Sequence, residues 1–145
     1  MIDGDSASIK LSDGNKEKVR FIGVDTPETK HPTKPVQPYG PEASEFTTEH
    51  LKGKQVYLEK DVTERDKYGR LLAYIWLEKP TSGDDKEMRA KMFNARLLLE
   101  GYAQLMTIPP DVKYVDYFTK YQTEARKNNK GLWGMANIQG KSKTP

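Results

Sequence analysis

Val19-Arg20-Phe21-Ile22-Gly23-Val24-Asp25-Thr26-Pro27-Glu28 reads as an apolar strand that carries one arginine and ends in a turn holding two carboxylates. Pro27 fixes its own φ and pushes Thr26 towards an extended conformation, so the strand must leave its sheet abruptly. A rigid corner results. Asp25 lies at the strand end and Glu28 just past the turn, so the two carboxylates can serve different ends of one site while Arg20 approaches from within the strand. In isolation Asp-Thr-Pro-Glu is also what an ordinary solvated surface turn looks like. The rest of the chain decides between the two.

Residues 6–11 place Ala7, Ile9 and Leu11 on one face and polar side chains on the other, the period of a strand. Ser12-Asp13-Gly14-Asn15 is a turn cluster, which makes this segment and the strand through Val24 a hairpin. Residues 29–40 carry Pro32, Pro35, Pro38 and Gly40, too many breakers for regular structure, and read as a loop. Pro41 suits the first position of a helix, with Glu42 and Glu45 near its positive end and Gly53 at its stop. Residues 55–60 and 71–77 read as strands, the second apolar nearly throughout and therefore central; Trp76 belongs to that sheet.

Residues 79–90 are polar, with Pro80 and Gly83, and read as an exposed excursion; 92–100 is a short helix stopped at Gly101. Thr107-Ile108-Pro109-Pro110 forms an extended connector, after which Asp111 is expected to cap a helix with Val115, Phe118, Gln122 and Ala125 on one face. Tyr114, Tyr117 and Tyr121 recur at helical spacing, as packing residues do, and Leu132 and Trp133 are expected to fold back onto the body. This order of elements predicts a mainly β chain with helices (α+β), a five-stranded Greek-key OB-fold barrel with three helices. One domain is expected over 1–138, with a first strand truncated at Met1-Ile2, and 139–145 is expected to be a frayed tail.

Composition sets the bounds. At 145 residues, 35% hydrophobic and 31% charged, the chain builds one core and has no room for a second. Its 24 Lys and Arg nearly balance 21 Asp and Glu, a net charge of +3 that is compatible with a polyanionic partner without demanding one. There is no cysteine, which excludes disulfides and thiolate metal sites, and His31 and His50 cannot build a zinc site alone. Any metal needs oxygen ligands. No apolar run approaches the roughly 20 residues that span a bilayer.

Two further motifs carry chemistry. In Asp3-Gly4-Asp5, glycine permits a sharp turn and the flanking carboxylates suit a hard cation, although an Asp-Gly pair equally marks a plain turn. Asp66-Lys67-Tyr68-Gly69-Arg70 packs an ammonium, a phenol and a guanidinium into five residues, a density that suits phosphate, because arginine offers a planar fork and tyrosine a donor. The alternative is a solvated hairpin tip.

Together, Asp3-Gly4-Asp5, Arg20, the run from Val24 to Pro32, Tyr39-Gly40-Pro41-Glu42-Ala43-Ser44, Asp66-Lys67-Tyr68-Gly69-Arg70 with Leu72-Ala73-Tyr74-Ile75, and Gly131-Leu132-Trp133 resemble the staphylococcal nuclease (thermonuclease) family in order along the chain. The resemblance implies a calcium-dependent endonuclease that cleaves DNA and RNA to 3′-phosphorylated products. It also implies that Asp5 and Asp25 bind Ca2+ through carboxylates and Thr26 through its carbonyl, with Asp3 an acidic neighbour. Glu28 would be the general base, Arg20 and Arg70 would grip the phosphate, and Lys67 and Tyr68 would contact a neighbouring phosphate. A monomer is expected, acting on single-stranded or locally unpaired substrate, without a stable protein partner, and secreted or attached to the cell surface.

The residues make physical sense in those roles: a metal and two guanidiniums are suited to the charge that develops on a phosphodiester's oxygens, and a carboxylate base is worth about two to four powers of ten in rate. Two departures from the family pattern stand out. Thr107-Ile108-Pro109-Pro110 occupies the place of two family tyrosines near the nucleotide, and the 79–90 excursion exceeds the tight turn expected there. The competing reading is a non-catalytic OB-fold module that binds nucleic acid or protein; the intact set Asp5, Arg20, Asp25, Glu28 and Arg70 argues against it. His31, in the proline-rich loop, is read as a bystander.

Overall fold

The computed structural model describes residues 3–27 and 38–134. Its elements are β1 (Ser6–Lys10), β2 (Lys16–Phe21), β3 (Val24–Asp25), α1 (Gly40–Leu51), β4 (Tyr57–Glu59), β5 (Leu71–Trp76), α2 (Asp85–Lys91), α3 (Phe93–Leu99), β6 (Gln104–Leu105) and α4 (Val115–Lys127). The expected hairpin is present: β1 and β2 pair antiparallel, with Ser6 opposite Arg20 and Lys10 opposite Lys16. Its turn is closed by Asp13, whose carboxylate accepts the Asn15 amide at 2.9 Å, and by Gly14 at φ 92°.

The sheet runs in the order β1-β2-β5-β4, with β2 parallel to β5 (Val19 opposite Leu71) and β4 antiparallel to β5. A parallel pair needs a long crossover, and here it carries α1 and β4. Leaving β2, the chain turns through Ile22-Gly23 into β3, which pairs antiparallel with β6, Val24 opposite Leu105 and Asp25 opposite Gln104. The architecture is the α+β, OB-like fold.

β5 is central, as its apolar run predicts: Ala73, Tyr74, Ile75 and Trp76 are all buried. Against it pack Phe21, Val24, Met88, Phe93, Leu97, Leu98, Phe118 and Tyr121. Within this core the polar side chain of Asn94 donates to the Ile22 carbonyl at 2.8 Å and accepts the Ile75 amide at 2.8 Å. It joins α3 to the two strands where their own pairing ends. At the chain's end, Leu132 donates its amide to the Gly101 carbonyl at 2.8 Å and the Arg126 guanidinium lies over the Trp133 ring, so this segment does fold back.

Three expectations need correction. The 79–90 excursion contains α2, with Met88 fully buried. Its polar composition hides the reason it orders: Asp84 caps the helix by accepting the Glu87 amide at 2.9 Å, and the Glu87 carboxylate accepts the Thr81, Ser82 and Gly83 amides. One buried anion satisfies the whole loop. Asp111 does not cap α4, which begins at Val115 without a side-chain cap. Instead Asp111 Oδ1 accepts the Val62 and Thr63 amides at 3.0 and 2.7 Å, fastening a distant loop to the connector. Of the three tyrosines at helical spacing, Tyr114 and Tyr121 are buried, whereas Tyr117 is exposed. No helix among the described residues is long and apolar enough to cross a membrane.

Candidate active site

The corner that follows β3 is built by close approach of the Gly4 backbone to the Thr26 side chain. A Cβ at Gly4 would lie 2.7 Å from Thr26 Oγ1, so only glycine lets the 3–5 turn reach Thr26. Thr47 of α1, itself fully buried, holds that turn by donating to the Gly4 carbonyl at 2.6 Å. Asp5 is thereby set beneath the Thr26 amide, which its Oδ2 accepts at 3.1 Å.

Arg20 knots the corner from the strand. Its Nη1 donates to the Phe21 and Val24 carbonyls at 2.9 and 2.7 Å, which curls the chain back over the guanidinium. Its Nη2 lies 3.3 Å from Asp5 Oδ2 and 3.4 Å from Asp25 Oδ1, with Met106 Sδ 3.6 Å away. Two carboxylates from positions 20 residues apart therefore converge on one nitrogen. The two carboxylates offer oxygen atoms alone, which suit a hard cation such as calcium and offer nothing to a soft one. Among the described residues no third Asp, Glu or His joins them.

Opposite this corner, the 65–70 turn is set by Asp66. Its Oδ1 accepts the Tyr68 and Arg70 amides at 3.0 and 2.9 Å, and its Oδ2 accepts Arg70 Nε at 2.7 Å. Burial pushes the Asp66 carboxyl up, but the hydrogen bonds from Arg70 and Tyr68 and the Arg70 charge outweigh it and hold the group below its ordinary value. Arg70 is thus held to Asp66 through its Nε, while its guanidinium and the Lys67 ammonium lie over the Tyr68 ring at 5.5 and 5.2 Å. Arg20, Lys67, Tyr68 and Arg70 line one cleft of about 560 Å³, whose remaining wall includes Met106, Ile108, Pro109 and Asp111.

Of the site residues expected from sequence, the structure brings Asp5, Arg20, Asp25 and Thr26 together at the corner, and Lys67, Tyr68 and Arg70 across the cleft from it. Glu28 and His31 lie outside the described residues. A family model described as staphylococcal nuclease homologue matches residues 18–135. The chain belongs to the staphylococcal nuclease family. It is 47% identical over 133 residues to the thermonuclease of Staphylococcus intermedius and 44% identical over 133 residues to that of Staphylococcus hyicus, covering 92% of this chain and 72% of each relative. It is also 38% identical over 134 residues to endonuclease YncB of Bacillus subtilis strain 168, covering 91% of this chain and 58% of that protein. Like its relatives in the staphylococcal nuclease family, it is an enzyme of the nuclease class.

Sequence reasoning assigned no role to Thr47 or Met106, placed Asp66 in the phosphate motif without its anchoring part, and read Asp111 as a helix cap, which it is not. Asp66 had a signal, since an Asp two residues before an amide it can accept is an Asx turn. The other three act across 20 or more residues and leave no local trace in the sequence.

Proposed function

We propose that this nuclease is a calcium-dependent endonuclease that hydrolyses phosphodiester bonds of DNA and RNA to 3′-phosphorylated products. The observation that carries the reading is the convergence of Asp5 and Asp25 on Arg20, with Arg70 lining the same cleft as Arg20. Calcium held by the carboxylates of Asp5 and Asp25 and the carbonyl of Thr26 would supply positive charge beside the phosphate. Arg70, anchored by Asp66, presents its fork to the equatorial oxygens without having to reorganise. Arg20 adds a second guanidinium at the corner, and its backbone bonds fix the position of both carboxylates. Lys67 and Tyr68 take the neighbouring phosphate. Glu28 accepts a proton from the attacking water as its oxygen bonds to phosphorus; the P–O5′ bond breaks, the 5′ oxygen takes a proton from solvent and leaves as a hydroxyl, and the phosphate stays on O3′.

An open cleft lined by cations suits an unpaired polymer strand, and a monomer is sufficient to form it. Secretion or attachment to the cell surface belongs to the same reading, and finding the full-length product in the cytoplasm by fractionation would count against it. The decisive experiment is incubation of the protein with single-stranded DNA in calcium and then in chelator, with the product ends analysed. Cleavage to 3′-phosphate ends in calcium and none in chelator is expected; full activity in chelator overturns the metal assignment.

A further inference from the structure

The register of the first hairpin extends the cationic site beyond the cleft. Directly opposed residues of an antiparallel pair point to the same face, so the face of the β1–β2 hairpin that carries Arg20 carries, in successive rungs, Ser6 with Arg20, Ser8 with Lys18, and Lys10 with Lys16. Lys10, Lys16, Lys18 and Ser8 are exposed, whereas the opposite face buries Ala7 and Val19. That face holds no carboxylate. The one acidic residue of β2, Glu17, alternates to the other side, where it is bound in a bidentate pair by Arg65 at 2.9 and 3.0 Å.

This arrangement works against the hairpin's own stability. Lys10 and Lys16 are directly opposed, a like-charge placement that destabilises a β-pair, and Lys18 follows on the same face. None of the three lysines has an ion pair among the described residues, although carboxylates satisfy Arg20, Arg65, Arg70 and Arg89 elsewhere in the chain. Uncompensated local conflict of this kind is expected where a surface meets a ligand. The ligand must be anionic, and the strip continues without interruption from Arg20.

We propose that the Lys18-Lys16-Lys10 strip is a binding track for the sugar-phosphate backbone of a polynucleotide, carrying one flank of the substrate away from the cleft. Along a strand, residues on one face are spaced by about 6.7 Å, close to the separation of successive phosphates in an extended single strand. Arg20, Lys18 and Lys16 therefore meet successive phosphates, Ser6 and Ser8 add hydroxyl donors beside Arg20 and Lys18, and Lys10, beside Lys16, reaches the phosphate after it. Lysine suits this task, since a flexible point charge follows a backbone without reading its bases. The track lengthens the footprint, so it selects polymers over short oligonucleotides. The proposal rests on the nuclease reading above.

The test is the triple variant K10Q/K16Q/K18Q. Binding of a fluorescent 20-nucleotide single strand is measured in chelator, which prevents cleavage, as a function of salt. With about 0.7 of slope per phosphate contact on single strands, the slope of log K against log salt should fall by about 2 in magnitude, and K18Q alone should lower it by about 0.7. In calcium, kcat/KM on the 20-mer should drop about tenfold or more, whereas on a dinucleotide, too short to reach the track, it should stay within about twofold of the unsubstituted protein. Thermal unfolding should be unchanged or slightly raised, because the substitutions relieve repulsion. An unchanged salt slope, or an equal loss on both substrates, overturns the track while leaving the nuclease intact; failure of the unsubstituted protein to cleave either substrate overturns the nuclease reading itself.

Discussion

Asp5 accepts the Thr26 backbone amide at 3.1 Å while standing 3.3 Å from Arg20, so one carboxylate both fixes the proline corner and faces the guanidinium. The two tasks separate chemically. Asp5→Asn keeps an acceptor for the Thr26 amide but removes the charge that a hard cation requires. The variant should fold normally and bind calcium at least about tenfold more weakly. Isothermal titration with calcium checks this directly, without reference to turnover.

Glu28→Gln should retain nucleotide binding and lose roughly two powers of ten or more in turnover, because the base is removed while Arg20, Lys67, Tyr68 and Arg70 still hold the phosphate. Single-turnover kinetics with saturating enzyme separates the two steps. Near-normal turnover would reassign the base.

Much of the fold was legible because its elements follow local rules. The alternation of 6–11, the Asp13-Gly14 turn and the apolar run of β5 each announce themselves within a few residues. The carboxylates of the corner, Asp5 and Asp25, were legible for a different reason: they sit in contiguous motifs, Asp3-Gly4-Asp5 and Asp25-Thr26-Pro27, whose resemblance to a family supplies candidate roles that spacing alone does not. What stayed hidden acts at long range. Asp111 looked like a helix cap because nothing in its neighbourhood reveals that Val62 and Thr63 need an acceptor. The 79–90 segment looked solvated because composition counts polar residues without asking which of them satisfy one another.

Glu87 makes that last point measurable. The Gly83 amide, then the Thr81 hydroxyl and amide, hold its carboxyl well below the usual carboxylate range. A carboxylate whose pKa is depressed by folding contributes stability above its unfolded value, about 4.3, and loses that contribution as pH falls through the folded value. Urea unfolding followed from pH 7 into acid should therefore show stability declining below about pH 4.3, and Glu87→Gln should be less stable at pH 7 with a flatter acid limb. Parallel profiles for the two proteins would show that Glu87 is solvated after all.

Asn94→Ala should be among the most destabilising single changes in the chain. It strands the Ile75 amide and the Ile22 carbonyl in a core that excludes water, at a cost of about 2 to 4 kcal/mol. Because Ile22 leads into the corner, the residual folded protein should also lose calcium affinity. Equilibrium urea unfolding gives the first quantity and calorimetry the second.

The cleft wall opposite the phosphate groups makes the last prediction. The connector places Met106, Ile108 and Pro109 on the cleft, whereas Thr107 is exposed away from its lining. None of these offers a π-face, and base stacking on an aromatic ring is worth about 1 to 3 kcal/mol, or about tenfold to a hundredfold in affinity. The phosphate contacts proposed for Arg70, Lys67 and Tyr68 do not depend on that wall. The enzyme should thus bind mononucleotides weakly and lean on the backbone, and binding should fall steeply with salt. Ile108 is 57% exposed and joins Asp111 only through backbone atoms, so a larger side chain is accommodated there. Ile108→Tyr should strengthen binding of a nucleoside 3′,5′-bisphosphate by about tenfold while leaving the abasic sugar bisphosphate unchanged, and Thr107→Tyr should do neither. Equal gains for both ligands would mean that the new phenol meets phosphate, and that the base lies elsewhere.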